Sequence, residues 1–304
     1  MKIRRSTTAT VILCAALSSV LLAACAPAQR ADSPSSTVVP TTDPTRQWHD
    51  DVALLAAADG NTGRRAALQQ RLGAIGLHVR SLPFESRNLS GVNLLADISG
   101  PADAPLLLIG AHYDKVNVGR GATDNASGSA TVLALGERFR RAPLQHHRVA
   151  IAFWDLEERG LVGSAAYIAN GGTKPALYVN FDVFAWGDTL WMMSPEAEAP
   201  LVRTSRDAAA ANGIRFVSGE QYPPTDHRAF LKAGWPAVSY SLVGGDEIPL
   251  ILEEFAGKKP AKTPKVMEVI HHDADTMDQV DAPAAVRGVD ALEAALRAWD
   301  AAAG

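Results

Sequence analysis

Leu106-Leu-Leu-Ile-Gly-Ala-His-Tyr-Asp114 and Arg148-Val-Ala-Ile-Ala-Phe-Trp-Asp-Leu-Glu-Glu158 follow one pattern, a short unbroken apolar run that stops on imidazoles or carboxylates. An apolar run of this length without alternation is what a strand covered on both faces needs. Between the two runs, Ser127 to Arg141 reads as a helix, and Leu161 to Ala169 reads as another just after the second. Working outward, Gly91–Ile98, Ala176–Asp182, Thr189–Met193, Ile214–Val217 and Ala237–Val243 read as strands. Gly63–Ile75, Ala199–Asn212, His227–Ala233 and Ala284–Ala303 read as helices. Strand and helix taking turns predicts an α/β fold, a single globular domain with a mostly parallel central sheet flanked by helices on both faces. Gly244 to Lys265 shows no evident element and carries Asp246, Glu247, Glu253 and Glu254. Such a stretch is a lid, a specificity element or a disordered insertion.

In an open α/β sheet, chemistry collects beyond the carboxyl ends of the strands. His112, Glu157, Glu158 and Asp182 stand at such ends, Asp124 precedes the helix at Ser127, and His271 lies late in the chain. Each has an ordinary use elsewhere. A single His or Asp at a strand end is commonly a hydrogen-bonded surface residue, Asp124 suits a helix N-cap, and paired glutamates or histidines suit solvated turns. Their joint arrangement at one edge is harder to explain that way. Three carboxylates (Asp124, Glu158, Asp182) and two imidazoles (His112, His271) form a donor set that zinc accepts, and a carboxylate can bridge two metals.

The composition is that of a globular protein: 304 residues, 47% apolar, 20% charged, with 24 Gly and 18 Pro. A formal charge of -4 argues against nucleic acid as the main partner, whose phosphates need a basic face. Both cysteines, Cys14 and Cys25, fall in the first 25 residues, so no disulfide framework exists in the folded part. Lys2, Arg4 and Arg5 precede an uncharged stretch from Thr7 to Ala24, which reads as an export signal. Leu22-Ala-Ala-Cys25 resembles the bacterial lipobox, in which the cysteine becomes the lipidated first residue; a plain secretory signal cleaved near Ala26 is the alternative. On the lipobox reading, residues 1–24 are signal and 25–46 are the lipidated Cys25 and a flexible Pro/Ser/Thr tether. The domain itself is then 47–304, folded from about Trp48. The expected location is the bacterial cell envelope, with lipid as the anchor. Loss of Lys2, Arg4 and Arg5 takes the charge from -4 to -7, which argues against electrostatic attachment.

The motifs resemble those of the co-catalytic dizinc aminopeptidases of peptidase clan MH, a group that includes animal-type glutaminyl cyclases. The resemblance rests on Ala111-His-Tyr-Asp114, Gly121-Ala-Thr-Asp-Asn-Ala-Ser-Gly128 and Phe153-Trp-Asp-Leu-Glu-Glu-Arg-Gly-Leu-Val-Gly-Ser164. Asn180-Phe-Asp182, Asp226-His-Arg-Ala-Phe230 and His271 through Thr276 follow in the family's order. It implies a zinc exopeptidase fold and two zinc ions per chain. His112 and Asp182 would hold one, Glu158 and His271 the other, and Asp124 would bridge them. Glu157 would be the general base, and a free α-amino group the mark of the substrate. Asp114 is the expected partner of a ligand imidazole, with Asp226 and Asp275 as weaker candidates and His227 in the pocket wall. The spacing His-x-x-x-Asp-Thr selects His271 over His272. Ile270 departs from the Tyr or Trp common before that histidine, and Val183-Phe184-Ala185 departs from the Met and Gly common after the Asp. Phe184 or Trp186 would then fill either the pocket or the core. The expected activity is removal of N-terminal residues from peptides by a monomeric enzyme. Glutaminyl cyclization is the runner-up, disfavoured by Asn125 and Gly128, and a non-catalytic peptide-binding domain is the third reading.

Overall fold

A computed structural model describes residues 43–304; the expected export signal and nearly all of the expected tether lie outside the described residues. β3 (Leu106–His112) lies parallel to β4 (Arg148–Trp154) on one side and to β5 (Leu177–Phe184) on the other. β8 (Ala237–Val243) continues the parallel core beside β5. The edges are completed by β2 (Leu89–Ser99) and β1 (Val79–Ser86) next to β4, and by β6 (Thr189–Met193) and β7 (Arg215–Gly219) next to β8. Among the described residues the sheet has eight strands in the order β1-β2-β4-β3-β5-β8-β6-β7.

Every residue of β3 is buried, as its unbroken apolar run requires. Because successive side chains point to opposite faces, Leu107, Ile109 and Ala111 join the larger core while Leu106 and Leu108 join the smaller. The larger core lies under α3 (Gly128–Arg141) and α9 (Ala282–Ala301), and the smaller under α4 (Val162–Ala169) and α6 (His227–Lys232). The chain leaves β3 for β4 through α3, then crosses back past β3 to β5 through α4. That reversal makes a switch point, where the connections diverge and open a crevice beyond the strand ends. His112 ends β3 at that crevice.

Three elements depart from expectation. A helix, α1 (Pro44–Ala57), begins four residues before Trp48, capped by Asp43, whose side chain accepts from Thr45 N. Trp48 is buried and donates from Nε1 to Thr131 Oγ1, which ties α1 to α3. β1 was not expected at all: only Phe84 of its eight residues is buried, so an edge strand here leaves no hydrophobic pattern. The segment Gly244–Lys265 is not structureless, since it holds α7 (Ile248–Phe255). Glu247 anchors it, accepting from Trp186 Nε1 and from the backbone amides of Gly244 and Val266.

Candidate metal centre

The sheet brings five of the expected residues to one point. His112 Nε2 lies 3.2 Å from Asp124 Oδ1 and 3.5 Å from Asp182 Oδ1. His271 Nε2 lies 3.1 Å from Asp124 Oδ2 and 3.0 Å from Glu158 Oε2. The two oxygens of Asp124 therefore face two different imidazoles, each with its own further carboxylate. Glu157 also joins the first group, beside His112 and Asp182. His272 does not join them; its Nδ1 lies 2.8 Å from the carbonyl of Ile270, two residues back.

Local backbone explains how each side chain arrives. Asp124 lies in a tight turn, Ala122–Ser127, and does not cap the helix; Asn125 takes that job, its Oδ1 accepting from Gly128 N and its Nδ2 donating to Phe181 O. Gly128 must be glycine, since a Cβ there would stand 2.2 Å from Asn125 Oδ1 and 2.7 Å from Phe181 O. Asp182 sits where the pairing of β5 with β8 slips between Phe181 and Phe184, with Val183 in left-handed backbone at φ 55°. A bulge of this kind re-aims a side chain. Leu156 and His271 are left-handed as well, at φ 60° and 61°.

A surrounding set of groups holds these positions. Asp114 Oδ1 lies 3.3 Å from His112 Nδ1, and its two oxygens accept the amides of Glu157 (3.0 Å) and Glu158 (3.2 Å). Asp275 does not meet an imidazole; it accepts the amides of Thr123 and Asp124 at 2.6 and 3.1 Å, gripping the turn that presents Asp124. Arg64 was missed, because one arginine in a helix reads as part of a solvated face. It is fully buried in α2 (Gly60–Ala74) and donates to the carbonyls of Tyr113, Arg120 and Gly121, bracing the loop beneath the site. Asp226 is buried with neither oxygen hydrogen-bonded, and burial pushes its carboxyl up to about 7 against the pull of His112.

Electrostatically the site asks for positive charge. Burial opposes the charge of His112, yet Glu157, Asp114, Asp124 and Asp182 hold its pKa well above the ordinary value. Asp124 and Glu158 raise that of His271 to about 10. Burial raises Glu157 and Glu158, while His112 and His271 overcome burial and lower Asp124.

Residues 93–296 match peptidase family M28. The chain belongs to that family. Among relatives of this M28 chain, leupeptin-inactivating enzyme 1 of Streptomyces exfoliatus is 31% identical over 188 residues, 59% of this chain and 43% of that one. The probable lipoprotein aminopeptidase LpqL of Mycobacterium tuberculosis is 29% identical over 148 residues, 45% of this chain and 30% of that one. The chain thus spans less than half the length of these curated relatives. Among solved structures, BSAP, a zinc aminopeptidase from Bacillus subtilis, aligns with a TM-score of 0.56 at 21% identity, covering 69% of this chain and 50% of that one. The glutaminyl cyclase of Porphyromonas gingivalis aligns at 0.64 and 18% identity over 86% and 98%. Both likenesses concern the fold.

The M28 donor set fits zinc on its own geometry. Two ligands bound at 2.0–2.1 Å to a tetrahedral zinc stand about 3.3 Å apart, and the imidazole–carboxylate spacings here run from 3.0 to 3.5 Å. Glu158 Oε1 and Asp182 Oδ1 are buried without a hydrogen-bond partner, as atoms meant for a cation would be.

Beside the cluster lies a pocket of about 230 Å³. Val183, Trp191, Val243, Ile251, Val266 and Ile270 give it an apolar wall, so α7 contributes to the site through Ile251. Phe184 and Trp186 do not line it: Phe184 packs in the main core and Trp186 in the apolar cluster that the wall residues form.

Proposed function

We propose that this M28 chain is a zinc-dependent aminopeptidase that removes apolar residues from the N-termini of peptides. The observation that carries the reading is the division of Asp124, one oxygen on the His112 imidazole, which also meets Asp182, the other on the His271 imidazole, which also meets Glu158. It supports two zinc ions per chain, with Asp124 placed to serve both sites. When bound, the two cations supply Lewis acidity, polarising the scissile carbonyl and making water acidic enough to be deprotonated near neutral pH. Glu157 takes the proton from the attacking water and hands it to the leaving amine. Asp114 orients His112 and fixes the Glu157–Glu158 turn, so that base and ligand point different ways. The pocket is smaller than the sites that enclose whole drug-sized ligands, and suits one side chain. Its mostly apolar wall favours Leu, Ile, Val or Met over the carboxamide of Gln, which would have to compete for the Tyr222 and Ser241 hydroxyls already bonded to each other and to the Asp182 carbonyl. Export and lipid attachment through Cys25 complete the reading, supported by the Leu22-Ala-Ala-Cys25 motif and by a relative named as a probable lipoprotein aminopeptidase. The enzyme acts as a monomer tethered in the envelope.

The test is to incubate the domain from about Asp43, supplied with zinc, with peptides varied at the first residue, including Gln, and to follow masses. Loss of whole apolar first residues is expected. Loss of ammonia alone from Gln-headed peptides makes the chain a glutaminyl cyclase, and no change in a zinc-loaded sample makes it a binding domain. For the anchor, Cys25→Ser should abolish incorporation of labelled palmitate; undiminished labelling rules out Cys25 as the lipidated residue.

A further inference from the structure

A second cavity, about 800 Å³, adjoins the apolar pocket and shares Tyr222 and Phe255 with it. It runs from Gly160 and Leu161, just past Glu158, between α4 and α6 to the end of α7. Its charges are unequal: Arg87, Arg228 and Lys232 line it against a single carboxylate, Glu220. Among the described residues none of the three cations lies within 4.0 Å of a carboxylate, whereas Arg71, Arg138, Arg215 and Arg297 elsewhere are paired. Arg87 donates only to the carbonyl of Gly160, at 3.3 Å. His227 adds no charge, since burial and Arg228 push its pKa down to about 3, but its Nδ1 is buried without a partner on the wall of the same cavity. A chain of unpaired cations in a trough focuses attraction for anions, and in a protein of net charge -4 it runs against the overall field.

We propose that this trough receives the part of the peptide downstream of the cleaved bond and selects for a carboxylate there, borne by an acidic side chain or by the C-terminus of a short peptide. The assignment rests on the aminopeptidase reading. The amine and first side chain occupy the metal centre and the apolar pocket, and the following residues, at about 3.4 Å each, leave past Tyr222 and Phe255 into the trough. Because the cations are exposed, the attraction is a binding effect that lowers KM and leaves kcat nearly unchanged.

The test compares four amidated tetrapeptides, Leu-Ala-Glu-Ala, Leu-Ala-Ala-Glu, Leu-Ala-Ala-Ala and Leu-Ala-Lys-Ala, together with Leu-Ala-Ala-Ala bearing a free carboxyl terminus. Leucine p-nitroanilide, which has no downstream peptide, serves as reference. At low ionic strength the zinc-loaded enzyme should favour the acidic or free-acid peptides about three- to tenfold in kcat/KM. The preference should shrink in 0.5 M salt. Which of those peptides gains identifies whether the side chain or the terminus supplies the carboxylate. The double variant R228E/K232E should reverse the order toward the lysine peptide while cleaving leucine p-nitroanilide like the parent, which also shows that it is folded. Equal kcat/KM across the series, or a preference that the charge reversal leaves in place, overturns the assignment while leucine p-nitroanilide cleavage keeps the aminopeptidase reading standing. If neither leucine p-nitroanilide nor any peptide is cleaved, the aminopeptidase reading fails and the trough assignment falls with it.

Discussion

Asp114 meets three groups with two oxygens: the His112 imidazole and the amides of Glu157 and Glu158. An amide side chain keeps the shape but offers one acceptor where the carboxylate had two, and it loses the charge that supports the imidazole. Asp114→Asn should therefore weaken zinc binding by about 10- to 100-fold, measured by competition with a chromophoric chelator; unchanged affinity would mean that His112 needs no such support. Glu157 poses the opposite case, because it groups with His112 and Asp182 yet is the residue proposed to carry the proton. Glu157→Gln should lower kcat by about 10²- to 10⁴-fold with zinc content and melting temperature kept. Undiminished turnover would remove Glu157 from the base role. At this scale the sequence was legible where a residue sits at a strand end, as His112 and Asp182 do. From the sequence Asp275 stands out only as a candidate imidazole partner and Arg64 does not stand out at all; both hold the backbone of a distant turn, contacts that no local spacing encodes.

Elements with unbroken apolar runs were readable, and β3, β4, β5 and β8 appear within two residues of their expected limits. β1, α1 and α7 were not, for separable reasons: an exposed edge strand has no buried stripe, α1 follows directly on a Pro- and Thr-rich tract, and α7 is only eight residues long. Since α7 forms part of the pocket wall, missing it also concealed the apolar character of the site. The end of α9 shows what one buried carboxylate does for the join between two elements. Asp300 accepts the amides of Gln145, His146 and His147 and meets His147 Nδ1 at 2.8 Å, fastening the helix to the loop before β4. These bonds outweigh burial and hold its carboxyl below the usual range. A depressed folded-state pKa means stabilisation present in full above the unfolded value near 4, and lost as pH falls through the folded one. Asp300→Asn should cost about 1–3 kcal/mol at pH 7 by urea denaturation. The gap to the parent should close below about pH 4; a gap constant with pH would show that the charge of Asp300 is not involved.

For the whole molecule, the crevice concentrates Asp124, Glu157, Glu158 and Asp182 within one buried region, so folding and metal loading are linked. Zinc at 100 times its dissociation constant stabilises the native state by about 2.7 kcal/mol per independent site. The melting temperature should rise with added zinc, and spectroscopic titration should end at two equivalents per chain; a sharp end at one would leave Asp124 as an ordinary ligand. The left-handed residues beside the site bear on how the molecule would respond to selection. Leu156, Val183 and His271 adjoin Glu157, Asp182 and the pocket wall, and each carries a Cβ in backbone that disfavours one by about 1–2 kcal/mol. Laboratory evolution for heat resistance alone would thus reach glycine first at 156, since glycine at 183 would also strip a buried valine from the pocket wall. Its survivors would melt later and turn over more slowly, so a screen for a hardier enzyme has to assay peptide cleavage in every round.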